Sequence, residues 1–332
     1  MLDSISSDQK KLSDAQAELA SGRHFDVGLS LGNEVGRNLN WRIEIDRMQQ
    51  TKVSNQSLLA KADASQASLD ALKKTATDFM NILVSARNAP NGAKLVQQAA
   101  TLAMGSLQDE VNVNYNGMYL MAGQNTAVPP LSAYKGGAAE TAVNAAFQST
   151  FGFSQTDPAA ATITPAAMKQ FLDGTFNQLF QSPSWNNSFS TATDINGTEL
   201  IDKTQSVGID ANANEQPVRD LMRAITAALG TGPTQLNQSS FQTVIDNAVT
   251  AAGNAISGIG DIQSRIGLGQ SQITSTNTKF DVNLSILDSE VTRTEGVDNA
   301  EVSSRINNLM TQLQASYTVT GRIAKLSLMN FM

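Results

Sequence analysis

Apolar residues recur at alternating steps of three and four positions at both ends of this chain. The N-terminal run comprises Leu2, Ile5, Leu12 and Leu19, with Gln9 and Gln16 at the intervening seam positions. The C-terminal run comprises Val302, Ile306, Leu309 and Leu313, followed by Tyr317, Ile323 and Leu326. This spacing lines side chains along one stripe of a helix that packs against a partner helix. The pattern therefore predicts amphipathic terminal helices over residues 2–21 and 298–328.

Long helical patterns continue inward from both ends. Apolar residues at helical spacing run from Trp41 to Ala86, and Pro90 then marks a turn. A third helix is predicted over about residues 93–123. The first of these patterns is long enough for a helix of about 50 residues, or ~75 Å at 1.5 Å per residue.

The C-terminal half repeats this organisation. We predict a short helix over residues 218–229 and a long helix that begins near Phe241 and continues to about Val291. Asp298 with Glu301 three residues later resembles a capping box, which predicts the start of a new helix.

The middle of the chain differs in composition from these flanks. Seven of the eight prolines lie between positions 129 and 233, and the 73 residues from Thr126 to Thr198 carry six charges. Phe and Trp are concentrated here: Phe147, Phe151, Phe153, Phe171, Phe176, Phe180, Trp185 and Phe189. We interpret this region as an inserted globular unit with its own core.

The composition excludes several kinds of chemistry. The absence of cysteine removes disulfides, thiolate catalysis and Cys-ligated metals, and His24 is the only imidazole. His24 is either a pH-sensitive contact or a loop residue at a helix end. We predict no catalytic, cofactor-binding or metal-binding residues. A net charge of −7 argues against nucleic-acid binding, and no apolar run approaches the ~20 residues of a membrane span.

Two arrangements could cover the terminal stripes. Either the two ends pack on each other within one monomer, or helices of neighbouring copies cover them and couple their folding to assembly. Gln9 and Gln16 either face solvent at the edge of the stripe or pair across an interface and fix its register.

Four strings resemble those of a known family. Ala20-Ser21-Gly22-Arg23 is similar to the end of the first helix in the flagellin superfamily. The string N-Y-N-G-M-Y-L-M-A-G at residues 114–123 is similar to one in the hook–filament junction branch of that family. L-Q-A-S-Y at 313–317 and L-S-L-M-N-F at 326–331 resemble the C-terminus of the same branch.

This resemblance implies a hook-associated structural protein of the bacterial flagellum that forms a ring between hook and filament. The implied partners are other copies of itself, a sister hook-associated junction protein, flagellin and a dedicated flagellar export chaperone. The implied location is extracellular, reached through the flagellar type III export channel without a cleavable signal peptide.

The expected fold is mainly α with an inserted β-containing domain. Residues 1–125 and 210–332 are expected to form a long-helix rod, a flagellin-like helical bundle, and residues 126–209 a variable, β-rich globular domain. We expect an isolated chain with mobile ends, and subunit contacts through the terminal helices. The candidate interface residues are Leu2, Ile5, Leu12, Leu19, Val302, Ile306, Leu309, Leu313, Tyr317, Ile323 and Leu326.

Two other functions are weighed against this one. Within the family, the chain could be flagellin itself, a filament subunit. From a different class, it could be a surface adhesin acting through the inserted domain, which exposed Trp185 and Tyr134 on one face would favour. No acid–base pair in the sequence indicates an enzyme.

Overall fold

The computed structural model describes the backbone of residues 2–329 and the side chains of residues 3–323. Its described residues form two compact units. The first contains residues 1–52 and 277–332, and the second contains residues 53–276. Two long helices, α3 (Val35–Ala86) and α9 (Gln238–Glu295), contribute residues to both units.

The first unit is built from both ends of the chain. It contains α1 (Leu2–Ser21), α2 (Val27–Leu31), a 3-10 turn at Gly32–Glu34, the first part of α3, the last part of α9, and α10 (Asn299–Met329). The start of α10 is capped as expected from the sequence, because the Asp298 carboxylate accepts a hydrogen bond from Ala300 N at 2.8 Å. Ile45 and Met48 of α3 and Phe280 of α9 are buried in this unit.

The second unit contains shorter helices packed with the inner parts of α3 and α9. These are α4 (Gly92–Val111), α5 (Ala138–Phe151), α6 (Pro165–Phe171), α7 (Ser184–Ser188) and α8 (Gln216–Gly230). Gly230 is required where α8 approaches α5, because an added Cβ would lie 2.3 Å from Val143 Cγ1.

The predicted third helix ends earlier than expected. The prediction was 93–123, but α4 ends at Val111 and is followed by an antiparallel hairpin of β1 (Asn114–Tyr115) and β2 (Met118–Tyr119). Asn116 and Gly117 connect the strands with φ of 51° and 83°. Asn-Gly is the preferred pair for a two-residue turn with two positive φ angles, so this dipeptide ends the helical pattern.

Helices outweigh strands in the inserted region, which corrects the prediction that residues 126–209 are β-rich. The strands there are β3 (Glu199–Leu200) and β4 (Ser206–Val207), which pair antiparallel. Alanine, the strongest helix former, is frequent in this segment, as in Ala138–Ala146 and Ala159–Ala161. The broader expectation of a mainly helical fold with an inserted region that contains strands is confirmed.

The inserted region also lacks a separate core. Its buried aromatic side chains belong to the same apolar cluster as Leu72 of α3, Leu107 of α4 and Ile225 of α8. The boundaries predicted at 126 and 209 therefore do not mark a separate compact unit, and the division by packing falls at residues 53 and 276. A short segment with few charges gains more by joining a large core than by closing a small one.

Candidate assembly surface

The two terminal helices pack against each other in antiparallel fashion. Glu18 of α1 is paired with Arg305 of α10, and further along the pair Gln9 Nε2 donates a hydrogen bond to the Tyr317 hydroxyl at 2.6 Å. These contacts join residues at opposite ends of the sequence. Of the two arrangements considered for the terminal stripes, the structure shows packing within one chain.

The seam between α1 and α10 has a small apolar core. Ala15, Val302 and Leu309 are buried in it, with Leu12, Val297 and Ile306 packed around them. Each large apolar side chain removed from water contributes roughly 1.5–3 kcal/mol, whereas ordering each residue costs about 1–2 kcal/mol of backbone entropy. A seam of this size therefore stabilises the terminal pair only weakly.

The predicted interface residues fall into two groups. Ile5, Val302, Leu309 and Leu313 are buried, and Leu12 and Ile306 are half-buried. These side chains are covered within the chain, so in this conformation they are not free to contact a neighbouring copy. Whether neighbouring copies cover them in an assembly stays a prediction.

The other predicted residues keep much of their surface in solvent. Leu19 is 38% exposed, Tyr317 51% and Ile323 48%. Met310 and Val319, which the stripe pattern did not include, are also exposed on α10. The side chains of Leu2 and Leu326 lie outside the described residues. The terminal pair thus retains an apolar surface after its internal seam has formed.

A second feature of the terminal pair is a buried acidic residue at its base. Glu295, the last residue of α9, is 1% exposed and accepts hydrogen bonds from Arg42 of α3, with Nε at 2.7 Å from Oε1. Arg23 pairs with the same carboxylate. The hydrogen bonds from Arg42, followed by the positive charges of Arg42 and Arg23, outweigh burial and lower the pKa of Glu295.

Glu18 forms a matching cluster on α1. Glu18 is buried, with 8% of the residue exposed. Its carboxylate pairs with Arg305 and accepts a hydrogen bond from Phe25 N at 3.1 Å. His24 Nδ1 lies 3.8 Å from the same carboxylate, so the only histidine is a loop residue in contact with an acidic group. Sequence reasoning missed Glu18 and Glu295, because charges more than 250 positions apart give no local signal.

The inserted region offers no exposed aromatic face. Trp185 is 1% exposed, stacks on Phe189 with ring centroids 5.2 Å apart, and donates from Nε1 to Asn214 Oδ1 at 2.7 Å. Tyr134 is also buried, which raises the pKa of its hydroxyl. Exposure of these two rings would have favoured the adhesive alternative, which therefore finds no support.

Within the described part of the chain, no helix is long and apolar enough to cross a membrane. Among the same residues, no group of three or more His, Cys, Asp or Glu side chains is arranged to hold a metal ion.

Comparisons with known proteins give consistent results for both ends of the chain. Residues 1–126 match the family model of the bacterial flagellin N-terminal helical region, and residues 249–332 match that of the flagellin C-terminal helical region. No curated protein matches the sequence. Both matches include the terminal helices that form the α1–α10 pair.

Two solved structures resemble this chain in fold. One is described as a flagellar hook-associated protein from Vibrio parahaemolyticus, with a TM-score of 0.53 and 11% identity over 77% of this chain and 95% of that one. The other is FlgL from Bacillus cereus, with a TM-score of 0.46 and 9% identity over 76% of this chain and 98% of that one. At 11% identity, the likeness to the first structure concerns the fold alone. The TM-score of the second structure is too low for any conclusion.

Proposed function

Because this chain belongs to the flagellin family, a family of structural proteins of the bacterial flagellum, we propose that it is the subunit that joins hook to filament. The observation that carries the proposal is the pairing of α1 with α10. It brings the two regions that define the family into one helical pair with an exposed apolar edge. Resemblance of residues 114–123 and 313–317 to the junction branch supports this role over that of filament subunit.

We propose that assembly uses the side chains that the internal seam leaves uncovered. Leu19, Tyr317 and Ile323 are the members of the predicted interface that remain exposed. A neighbouring copy would bury them against a different surface of its own, since contacts that propagate around a ring do not pair identical patches. The covered residues Val302 and Leu309 would then act indirectly, by holding the helices that present this edge.

The proposed partners follow from the junction role. They are further copies of this chain, a sister hook-associated protein on one side, flagellin on the other, and an export chaperone before export. The proposed location is the extracellular part of the flagellum.

The first experiment is deletion of the gene in its own host. If the protein forms the junction, cells without it retain hooks, lose filaments and release flagellin into the medium. Complementation with the wild-type gene restores filaments. Deletion cells with normal filaments would contradict the proposal.

Flagellin remains the second candidate, favoured by the match to flagellin helical regions at both ends. Purified protein added to filament seeds separates the two roles. A junction subunit caps the seeds and blocks their elongation by flagellin, whereas a filament subunit extends them. Growth of filaments from this protein alone would show that it is a filament subunit, that is, flagellin.

A further inference from the structure

Asparagine is followed directly by glycine at three places in the second unit: Asn91-Gly92, Asn116-Gly117 and Asn196-Gly197. In such a pair the amide nitrogen of the glycine can attack the side-chain carbonyl carbon of the asparagine, because no Cβ on the glycine crowds the approach. The attack requires a glycine nitrogen that is free of hydrogen bonds and a backbone that can turn toward the side chain. The structure meets these requirements differently at the three places.

The pair Asn91-Gly92 is held in place by packing. Gly92, the first residue of α4, is buried, and its nitrogen donates a hydrogen bond to Ala89 O at 2.9 Å. A Cβ added to Gly92 would lie only 1.9 Å from the carbonyl oxygen of Ala86. The backbone therefore has no room to turn toward the Asn91 side chain.

The pair Asn116-Gly117 is exposed but is fixed by the turn between β1 and β2. Asn116 has a positive φ, as the two-residue turn requires. Gly117 N donates a hydrogen bond to Asn114 Oδ1 at 2.9 Å. The turn must open before the glycine nitrogen can react, and that opening costs free energy.

The pair Asn196-Gly197 has neither form of protection. Both residues are exposed, and they lie in a loop between α7 and β3 that has no helix or strand. Within the described part of the chain, the Gly197 nitrogen donates no hydrogen bond. This nitrogen is therefore the one among the three that is available for attack.

The Asn196 side chain is also held in a way that favours attack on its carbonyl carbon. Asn212, which is 2% exposed, donates from Nδ2 to Asn196 Oδ1 at 2.9 Å. Attack places negative charge on this oxygen, and a donor already aimed at the oxygen stabilises that charge. The departing Asn196 Nδ2 points toward Glu215 Oε1 at 3.5 Å.

We propose that Asn196 is a self-modification site, at which the protein converts its own asparagine to aspartate and isoaspartate. The Gly197 nitrogen forms a bond to Asn196 Cγ, the Cγ–Nδ2 bond breaks, and the proton lost by the Gly197 nitrogen leaves with Nδ2 as ammonia through solvent. Water then opens the resulting cyclic imide at either carbonyl. The product carries one more negative charge, and the reaction is independent of the junction role.

The test is peptide mapping by mass spectrometry of the purified full chain after incubation at neutral and mildly alkaline pH. We expect conversion at Asn196 to be about fivefold or more faster than at Asn91 or Asn116, because a hydrogen bond of the glycine nitrogen must break first at those two places. The rate at Asn196 should rise with pH, since the attacking nitrogen must lose its proton. Hydroxylamine, which cleaves the cyclic imide, should cut the chain between Asn196 and Gly197.

Gly197→Ala is the matched variant. Gly197 does not have a positive φ, and the added Cβ would lie 3.2 Å from Asp210 Oδ2, so alanine fits after a small shift. The Cβ crowds the attacking nitrogen, and conversion at Asn196 should be lost. If circular dichroism shows loss of helix in this variant, Asn196→Gln takes its place, because the longer side chain must close a larger ring and reacts far more slowly.

A synthetic peptide of residues 192–200 gives the rate without the fold. Absence of product at Asn196 over the time in which this peptide is converted would overturn the proposal, because the fold would then protect the site. Conversion at Asn91 or Asn116 as fast as at Asn196 would overturn it as well. So would undiminished conversion at Asn196 in Gly197→Ala.

Discussion

Two carboxylates, one buried and one half-buried, have pKa values displaced in opposite directions, for reasons visible in their contacts. The pKa of Glu295 is lowered, chiefly by the hydrogen bonds from Arg42. The pKa of Glu110 on α4 is raised, because burial outweighs the single hydrogen bond that Oε1 accepts from Thr75 at 2.9 Å. Its Oε2 is buried without a hydrogen-bond partner. The same residue type therefore stabilises one site and strains another.

Glu295 makes the terminal pair sensitive to acid. Its folded-state pKa lies below the unfolded value of about 4.3, so its contribution to the free energy of unfolding is complete above that value. The contribution is lost as the pH falls through the folded-state pKa. We expect the wild type to lose more stability than Glu295→Gln between about pH 5 and pH 3, as measured by urea unfolding at each pH. If the free energies of unfolding of the two proteins changed with pH in parallel, the acid sensitivity would not come from Glu295.

Glu110 has the opposite effect. A raised folded-state pKa means that the charged carboxylate destabilises the folded chain at neutral pH, and that this cost is relieved as the pH falls through that pKa. Glu110→Gln should therefore raise the free energy of unfolding at pH 7 only modestly, by less than about 1 kcal/mol, because solvent screens the half-buried carboxylate. The advantage should shrink in mild acid, where wild-type Glu110 is protonated. A variant that is less stable than wild type at pH 7 would show that the carboxylate is not strained.

Within α1 and α10, buried and exposed side chains of one apolar stripe serve different purposes. Val302 and Leu309 hold the helices together, whereas Tyr317 and Ile323 are largely in solvent. Stability and the proposed assembly contacts can thus be altered separately on the same helix.

The double variant Tyr317→Ser, Ile323→Ser should weaken assembly at little cost to the fold, although it removes the exposed hydrogen bond from Gln9 to the Tyr317 hydroxyl. Because both side chains are about half exposed, we expect the free energy of unfolding to change by less than about 1 kcal/mol. Capping of filament seeds should fall sharply. The matched variant Val302→Ala should instead cost about 2 kcal/mol of stability through a cavity in the seam. Normal capping by the double variant would exclude this edge as the assembly surface.

In the inserted region, Trp185 joins an aromatic stack to a polar network. Trp185→Ala should destabilise the second unit by about 3–5 kcal/mol, because it leaves a large cavity beside Phe189 and Phe180. Trp185→Phe keeps most of the packing and should cost less than half as much. Urea unfolding followed by circular dichroism measures both. Equal effects of the two variants would mean that the hydrogen bond to Asn214, rather than packing, dominates.

Sequence patterns predicted helices correctly where neighbouring residues determine where a helix begins or ends. Helical spacing gave α3 and α9 close to their observed bounds, and Asp298 marked the start of α10. The same approach failed at Asn116-Gly117, where a turn preference ended a helix that the apolar pattern would have continued. The prediction of a β-rich inserted region was also wrong, because the frequent alanines there favour helix.

The candidate site was predictable only in part. The stripes identified which helices matter, but periodicity does not distinguish a partner helix in the same chain from one in a neighbour. Glu18 and Glu295 were not predicted because their partners Arg305 and Arg42 are brought to them by the fold. Pairing over such separations is a property of tertiary structure alone.

At the scale of the whole chain, the two units have very different cores. The second unit contains one large apolar cluster. In the first unit, the apolar cluster between α1 and α10 has only three buried members among the described residues. Local opening requires little free energy where few apolar contacts must be broken. The ends of the chain should therefore open far more often than the helices of the second unit.

Hydrogen exchange followed by mass spectrometry checks this difference. Amides in residues 5–21 and 302–323 should exchange much faster than those in 62–83, where Leu69, Leu72 and Leu83 are fully buried. Addition of filament seeds should slow exchange in the terminal helices if assembly covers them. Equal protection of the terminal helices and residues 62–83 in the free protein would contradict the prediction.

The antiparallel pairing of the first helix with the last has a consequence for biosynthesis. About 280 residues separate the two helices, so at ~5–20 residues per second a ribosome needs roughly 15–55 seconds to make the second after the first. Throughout that interval α1 has no counterpart on its own polypeptide. A nascent chain of this design keeps α1 unpaired until α10 has been translated, and α1 is open to whatever cellular factor meets it first.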